Sequence, residues 1–105
     1  MFEILKNMFS NKRNNNLSEI VNDGAFLVDV RSSLEFSSGK VKGSVNIPVD
    51  QIQNQLAKFK SKKNIVVFCR SGARSSQAIA ILERNGITNV TNGGTWKNVG
   101  SLLVK

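Results

Sequence analysis

The sequence predicts an α/β fold with a central, mainly parallel sheet flanked by helices. Short runs that are almost wholly apolar, at residues 26–30 and 65–68, are typical of strands covered on both faces. Segments with the apolar spacing of helices separate these runs, and alternating strands and helices require crossover connections between parallel neighbours. At 105 residues the chain is long enough for one domain with one modest core.

The first half of the chain contains two predicted strands and three short helical segments. In chain order these are a helix at residues 17–22, a strand at 26–30, one helical turn at 33–38, a strand at 44–47 and a helix at 50–59. Asp50 is predicted to cap the last of these helices, because Asp is a favoured residue at a helix N-cap. Ile52, Leu56 and Phe59 are predicted to face the core from it.

The second half of the chain contains the strand that carries the cysteine. The run at residues 65–68 is the clearest buried strand, and Cys69 stands at its carboxyl end. We expect a helix at residues 75–85, a last strand at 89–91, and a turn at Gly93-Gly94 before Trp96.

The chain is basic but lacks the pattern of a nucleic-acid-binding protein. Fifteen Lys and Arg against seven Asp and Glu give a formal charge of +8, which could attract nucleic acid, a membrane surface or small anions. The six Phe and one Trp do not interleave with the basic residues as a base-stacking platform requires. We therefore predict no nucleic-acid partner and interpret the lysines of residues 58–63 as solvated surface.

Residues 1–16 are predicted to form an N-terminal extension ahead of a domain that covers residues 17–105. The extension has a polar tract at residues 11–16 and lacks the apolar stretch and cleavage site of a signal peptide. It is also too polar to cross a membrane. We therefore expect a cytoplasmic protein without a membrane span.

One cysteine and no histidine narrow the chemistry that the chain can perform. Without a second cysteine there is no internal disulfide or two-cysteine redox motif, and without histidine there is no Cys-His nucleophile or His-ligated metal. We predict no metal and no cofactor. A group loaded onto Cys69 must therefore leave to an external acceptor.

The segment from Cys69 to Arg74 joins a buried strand to a helix, which is where open α/β sheets bind their ligands. Gly72 can adopt a positive φ, so the successive N–H groups of the loop can form a nest for one anion. Arg70, Arg74 and the helix dipole add positive charge. We expect solvent to reach this loop and the pKa of Cys69 to lie below the free value of about 8.5.

Cys69 has two other interpretations, an inert structural cysteine and the nucleophile of a phosphatase. An inert, buried cysteine is common, but the polar sequence that follows it is poor for an apolar site. Cysteine phosphatases place one residue more between the Cys and the Arg, and the tighter loop from Cys69 to Arg74 suits a sulfur atom better than a tetrahedral phosphate. Phosphatase activity remains a minor alternative.

From about residue 17 to residue 99 the sequence resembles the rhodanese-like family. Three segments carry this resemblance: residues 27–31 with Glu35-Phe36 and Gly39, residues 43–48, and the loop at residues 69–75. Each is weak alone, but their combination in this order is specific. The resemblance implies a parallel sheet flanked by helices and a sulfurtransferase that carries a persulfide on Cys69.

The resemblance also implies roles for the residues around Cys69. The loop residues expected to hold the persulfide and its donor are Arg70, Ser71, Gly72, Ala73 and Arg74. The residues expected to support the loop are Asp29, Arg31, Glu35 and Ser75. Arg74 would pair with Asp29 or Glu35, and we interpret Asp29 and Arg31 as a hydrogen-bonded pair at the end of a strand.

The sequence departs from the family pattern at two places. Lys40 follows Gly39 where the family usually has His, and only Thr95 separates Gly94 from Trp96 where family members have a longer segment. The Lys40 change removes nothing that the mechanism uses. The shorter segment is expected to open one side of the active-site pocket and to affect the choice of acceptor.

The predicted reaction is a two-step transfer of sulfur through Cys69. The donor would be a small anion, thiosulfate or a persulfide, and the acceptor cyanide, a thiol or a sulfur-carrier protein. The alternative is a non-enzymatic sulfur-carrier or regulatory binding module that uses the same loop without turning over free substrate.

Overall fold

The centre of the structure is a four-stranded sheet in which every pairing is parallel. The computed structural model describes residues 17–104. The strands are β1 (Phe26–Asp29), β2 (Val45–Asn46), β3 (Ile65–Cys69) and β4 (Val90–Thr95). Their spatial order is β2-β1-β3-β4, so β1 and β3 are central. The predicted α/β fold with a parallel sheet is confirmed.

Helices cover both faces of this sheet. They are α1 (residues 17–22), α2 (Ser33–Ser38), a 3-10 helix (Val49–Phe59), α3 (Ala73–Arg84) and α4 (Trp96–Leu102). The 3-10 helix and α3 pack on one face through a cluster that includes Ile52, Phe59 and Leu82. Helices α1 and α4 pack on the other face through a cluster that includes Val21 and Val99.

The apolar runs of the central strands are explained by this two-sided cover. All five residues of β3 are buried. Val66 and Phe68 belong to the cluster under α1 and α4, whereas Ile65 and Val67 belong to the cluster under the 3-10 helix and α3. Successive side chains of a strand point to opposite faces, so a strand covered on both faces must be apolar throughout.

Two predicted helix starts were wrong. Asp50 does not cap the helix, because the chain already turns at Pro48, whose carbonyl accepts the Gln51 N–H at 2.8 Å; Asp50 lies within the first turn. Helix α3 begins at Ala73 rather than at residue 75, since Gly72 adopts a left-handed φ of 99° and already serves as the N-cap. The buried positions Ile52 and Phe59 were predicted correctly, and Leu56 is half-buried against the same cluster.

The predicted turn at Gly93-Gly94 was also wrong, because β4 continues to Thr95. A Cβ at Gly93 would lie 2.6 Å from Val99 and 2.9 Å from Val66, so this strand passes where only glycine fits. Helix α4 then begins at Trp96, with the Thr95 hydroxyl accepting the Asn98 N–H at 3.0 Å.

The carboxyl ends of β1, β3 and β4 lie at the same edge of the sheet. Asp29 is the last residue of β1 and Cys69 the last residue of β3. Thr95, the last residue of β4, pairs with Cys69. No helix within residues 17–104 is long and apolar enough to cross a bilayer. The predicted extension at residues 1–16 lies outside the described residues.

Candidate active site

Cys69 has no exposed surface. It belongs to the apolar cluster beneath the 3-10 helix and α3, and it is a free cysteine. Solvent reaches the loop as expected, because Arg70, Ser71 and Ala73 are exposed. The alternation of side chains along β3 nevertheless turns the side chain of Cys69 inward under the start of α3.

The loop after β3 surrounds the sulfur with hydrogen-bond donors. The Gly72 N–H donates to Sγ of Cys69 at 2.9 Å, and Oγ of Ser75 lies 3.7 Å from Sγ. Burial raises the pKa of the Cys69 thiol, but hydrogen bonds from the N–H groups of Ser75, Gly72 and Ser71 and from the Ser75 hydroxyl outweigh it. The pKa therefore lies below its usual value, since donors directed at the sulfur favour the thiolate.

The direction of this shift agrees with the sequence prediction, which attributed it to the loop N–H groups together with the helix N-terminus and the charges of Arg70 and Arg74. The largest lowering contributions come from hydrogen bonds of the backbone and of Ser75. The left-handed Gly72 directs these N–H groups inward. Ser71 and Ala73 are exposed, and Ser71 lowers the pKa through its backbone N–H.

Ser75 is fully buried beside the cysteine and is held by β4. Its hydroxyl lies 2.9 Å from the Gly72 carbonyl and 2.8 Å from Oδ1 of Asn92. Asn92 also accepts the Gly94 N–H and donates to Oγ of Ser76, so it joins β4 to the first turn of α3. Sequence reasoning missed Asn92, although an Asn two residues before a Gly is a known turn-forming pattern.

Arg74 is anchored by Glu35, not by Asp29. Nη1 and Nη2 of Arg74 lie 2.7 and 3.0 Å from the two carboxylate oxygens of Glu35. The pKa of Glu35 is lowered to about 2, mainly by this pair and further by the Ser32 N–H. The same contact raises the pKa of Arg74. Of the two acidic partners left open by the sequence, the structure brings only Glu35 to the loop.

Asp29 instead pairs with Arg31, as the sequence interpretation proposed. Asp29 is fully buried, and its carboxylate accepts the Arg31 backbone N–H at 2.9 Å and Nη2 at 2.6 Å. Arg31 also donates to the Gly39 carbonyl, and its guanidinium lies 4.4 Å from the centroid of the Trp96 ring. The pair therefore fixes the position of Trp96 rather than contacting the cysteine loop.

A cleft of about 390 Å³ opens at this edge of the sheet. Among the charged side chains of its walls, Arg31 is paired with Asp29 and Glu35 with Arg74, whereas Arg70 and Lys97 have no carboxylate partner within residues 17–104. The lining residues are Arg31, Glu35, Ser38, Arg70, Thr95, Trp96 and Lys97. The sequence pointed to Arg70 but not to Trp96 or Lys97 as site residues, because their approach depends on the path of β4.

Within residues 17–104, no group of three or more His, Cys, Asp or Glu is placed to hold a metal ion.

The fold and the loop define a small parallel α/β domain in which a buried cysteine ends a central strand and accepts the N–H of the loop glycine Gly72. The family model of the Rhodanese-like domain matches residues 13–95. The chain belongs to this family, and the resemblance seen in the sequence is confirmed.

Individual relatives agree with this assignment. The chain is 34% identical over 83 residues to an uncharacterized protein of Bacillus subtilis, covering 77% of this chain and 66% of that protein. It is 34% identical over 80 residues to a thiosulfate sulfurtransferase of Escherichia coli, covering 74% of this chain and 77% of the relative. A solved structure of E. coli rhodanese with anions has a TM-score of 0.64 at 32% identity, covering 71% of this chain and 91% of that one.

Proposed function

We propose that this protein is a sulfurtransferase in which Cys69 carries sulfur as a persulfide. The observation that carries the proposal is the cradle around Sγ, in which the Gly72 N–H lies 2.9 Å from the sulfur and the N–H groups of Ser71 and Ser75 also lower the pKa of the thiol. Such donors stabilise the attacking thiolate without a general base. The relative named thiosulfate sulfurtransferase supports the same activity.

In the first half-reaction, the Cys69 thiolate attacks the outer sulfur of thiosulfate. A bond forms between Sγ and that sulfur, the sulfur–sulfur bond of thiosulfate breaks, and its electron pair leaves with sulfite. In the second half-reaction, cyanide or a thiolate attacks the terminal sulfur of the persulfide, and the electron pair of the breaking bond returns to Sγ. Neither step requires a cofactor, and the loop N–H groups stabilise sulfur-centred negative charge throughout.

The charges of the cleft support a small anionic donor. Arg70 and Lys97 line the cleft, whereas the charges of Arg31 and Arg74 are balanced by Asp29 and Glu35. The net charge of +8 adds a positive field over the whole chain. These charges raise the local concentration of an anion such as thiosulfate, and salt weakens the effect.

The burial of Cys69 favours one alternative, a sulfur carrier that receives sulfur only from a partner protein. With no exposed surface on the cysteine, free substrates would require the loop to open. Such a module would form the persulfide on contact with its partner but would not turn over thiosulfate and cyanide.

Intact mass after incubation with thiosulfate tests the proposal. We expect a gain equal to one sulfur atom on Cys69, its loss on addition of cyanide, and steady formation of thiocyanate when both are present. The Cys69→Ser variant should show none of these. If the mass gain were absent with thiosulfate but present with a persulfide-bearing protein, the protein would be a sulfur carrier and not an enzyme.

A further inference from the structure

A second, larger groove adjoins the active-site cleft and shares Trp96 and Lys97 with it. It has a volume of about 850 Å³ and lies between the segment after α2 and one side of α4 with the two residues that follow this helix. This volume is within the range of clefts that bind specific ligands, roughly 300–1,000 Å³. Nothing in the proposed sulfur chemistry at Cys69 uses it.

The walls of the groove are apolar and its rim is positively charged. Val41, Leu103 and Val104 supply the apolar surface, and Val104 is 81% exposed. Lys40 and Lys42 stand on the rim, as does Lys97. All three lysines are exposed, and none has a carboxylate partner within residues 17–104. An occupant that matches this surface has apolar groups at its centre and negative charges around them.

We propose that this groove binds an extended acidic segment, carrying apolar side chains, of a protein that exchanges sulfur with Cys69. The exchange rests on the proposed function, whereas the binding does not. Because the groove and the cleft meet at Trp96, a segment lying in the groove would bring its sulfur-bearing end to the strand ends where Cys69 lies. The groove would thereby let the protein recognise a macromolecular partner although the cysteine itself is buried.

Charge and shape disfavour other occupants. A second copy would bring a formal charge of +8 to a positive surface. Residues 1–16 carry Lys6, Lys12 and Arg13 against Glu3, so they have the same sign as the groove. Nucleic-acid bases would need an open aromatic face, but Arg31 and Lys97 lie against the Trp96 ring. A flat membrane does not reach Val41, which is buried at the base of the groove.

Binding can be measured directly on the full-length protein. The probe is a capped heptapeptide that alternates glutamate and leucine, compared with a glutamate–serine and a lysine–leucine peptide. The only tryptophan of the chain, Trp96, lines the groove and reports through its fluorescence. We expect the glutamate–leucine peptide to shift this fluorescence and the amide resonances of Val41, Gly100 and Ser101, and the other two peptides to bind at least about fivefold more weakly.

Two variants and one matched control locate the site. Lys42→Glu reverses a rim charge, and Ser101→Phe obstructs the groove without changing charge; both residues line the groove and not the cleft. Lys60→Glu makes the same charge change at an exposed position outside both. We expect Lys42→Glu and Ser101→Phe to weaken peptide binding by about fivefold or more, and Lys60→Glu by less than about twofold.

Three results would overturn the proposal. The first is that Lys42→Glu and Lys60→Glu weaken binding of the glutamate–leucine peptide equally. The second is that this peptide shifts amide resonances only on other surfaces, and the third is that residues 1–16 contact the groove in the free protein. Thiosulfate turnover is measured in parallel for each variant and should match that of Lys60→Glu. Peptide binding without any sulfur transfer would reject the proposed enzyme and leave the docking site standing, so the two failures are distinguishable.

Discussion

The guanidinium of Arg74 and the carboxylate of Glu35 form a two-point ion pair, at 2.7 and 3.0 Å, that ties the cysteine loop to α2. Glu35 is held in place in turn by a capping box, in which its carboxylate accepts the Ser32 N–H and its own N–H donates to the Ser32 hydroxyl. An arginine in the first turn of α3 is thereby fixed by the N-terminus of another helix. Planar, two-point pairs of this kind constrain direction as well as distance.

Arg74→Ala should therefore loosen the loop. We expect sulfur transfer to fall by about tenfold to a hundredfold, because small misplacements of reacting groups cost this much. Steady-state thiocyanate formation and amide hydrogen exchange of Ser71 and Gly72 would measure both effects. The matched control is Arg84→Ala, an exposed arginine at the other end of α3. Equal losses in the two variants would show that Arg74 acts only through net charge.

The same ion pair predicts a pH dependence of stability. The pKa of Glu35 falls from an ordinary value of 4.5 to about 2 in the folded protein. A depressed folded pKa contributes stability that is complete above pH 4.5 and is lost as the pH falls toward 2. Measured by urea unfolding across this window, the free energy of unfolding should fall less with decreasing pH for Glu35→Gln than for the wild type. If it fell equally steeply in both proteins, the acid sensitivity would arise from another carboxylate.

Cys69→Ser should abolish sulfur transfer and leave the fold intact. The hydroxyl is nearly isosteric with the thiol and keeps the Gly72 N–H contact but cannot hold a persulfide. Mass spectrometry after thiosulfate treatment gives the functional readout, and thermal unfolding gives the control for folding. If the variant turned over thiosulfate at nearly the wild-type rate, Cys69 would not be the residue that carries the sulfur.

The rate of iodoacetamide alkylation against pH should report a pKa of the Cys69 thiol below the ordinary value of a free cysteine. Because the largest lowering contributions are hydrogen bonds inside a buried cradle, added salt should change the midpoint little, unlike an effect of exposed charges. Ser75→Ala removes the hydroxyl and should raise the midpoint while the backbone donors remain. A midpoint at or above the free value would indicate an inert structural cysteine.

Gly93→Ala should destabilise the fold by about 1–3 kcal/mol, the usual cost of overpacking. The added Cβ would meet Val99 at 2.6 Å and Val66 at 2.9 Å, and both neighbours are themselves buried. Gly100→Ala is the matched control, because its Cβ would lie at an ordinary 3.8 Å from Val41 within helix α4. Chemical denaturation of both variants checks this, and comparable stabilities would contradict the close approach of β4 to α4.

Several features could be read from the sequence because they depend on neighbours along the chain. The apolar run of β3 predicted a strand covered on both faces, and it is buried throughout. The turn at α2 was predicted at residues 33–38 and is observed there, since its capping residues are local. The N-cap of the 3-10 helix and the start of α3 were each misplaced by two residues, because a proline turn and a left-handed glycine set them.

The contacts between segments far apart in the chain were decided only by the tertiary structure. The residue types around Cys69 predicted an anion-binding loop, but three contacts that shape the site join residues 17 to 65 positions apart. These are the ion pair of Arg74 with Glu35, the polar contact of Ser75 with Asn92 and the packing of Trp96 against Arg31. The burial of Cys69 likewise follows from α3 lying over the end of β3. Residue order fixes which groups can act, whereas the packing of the helices on the sheet fixes which of them meet.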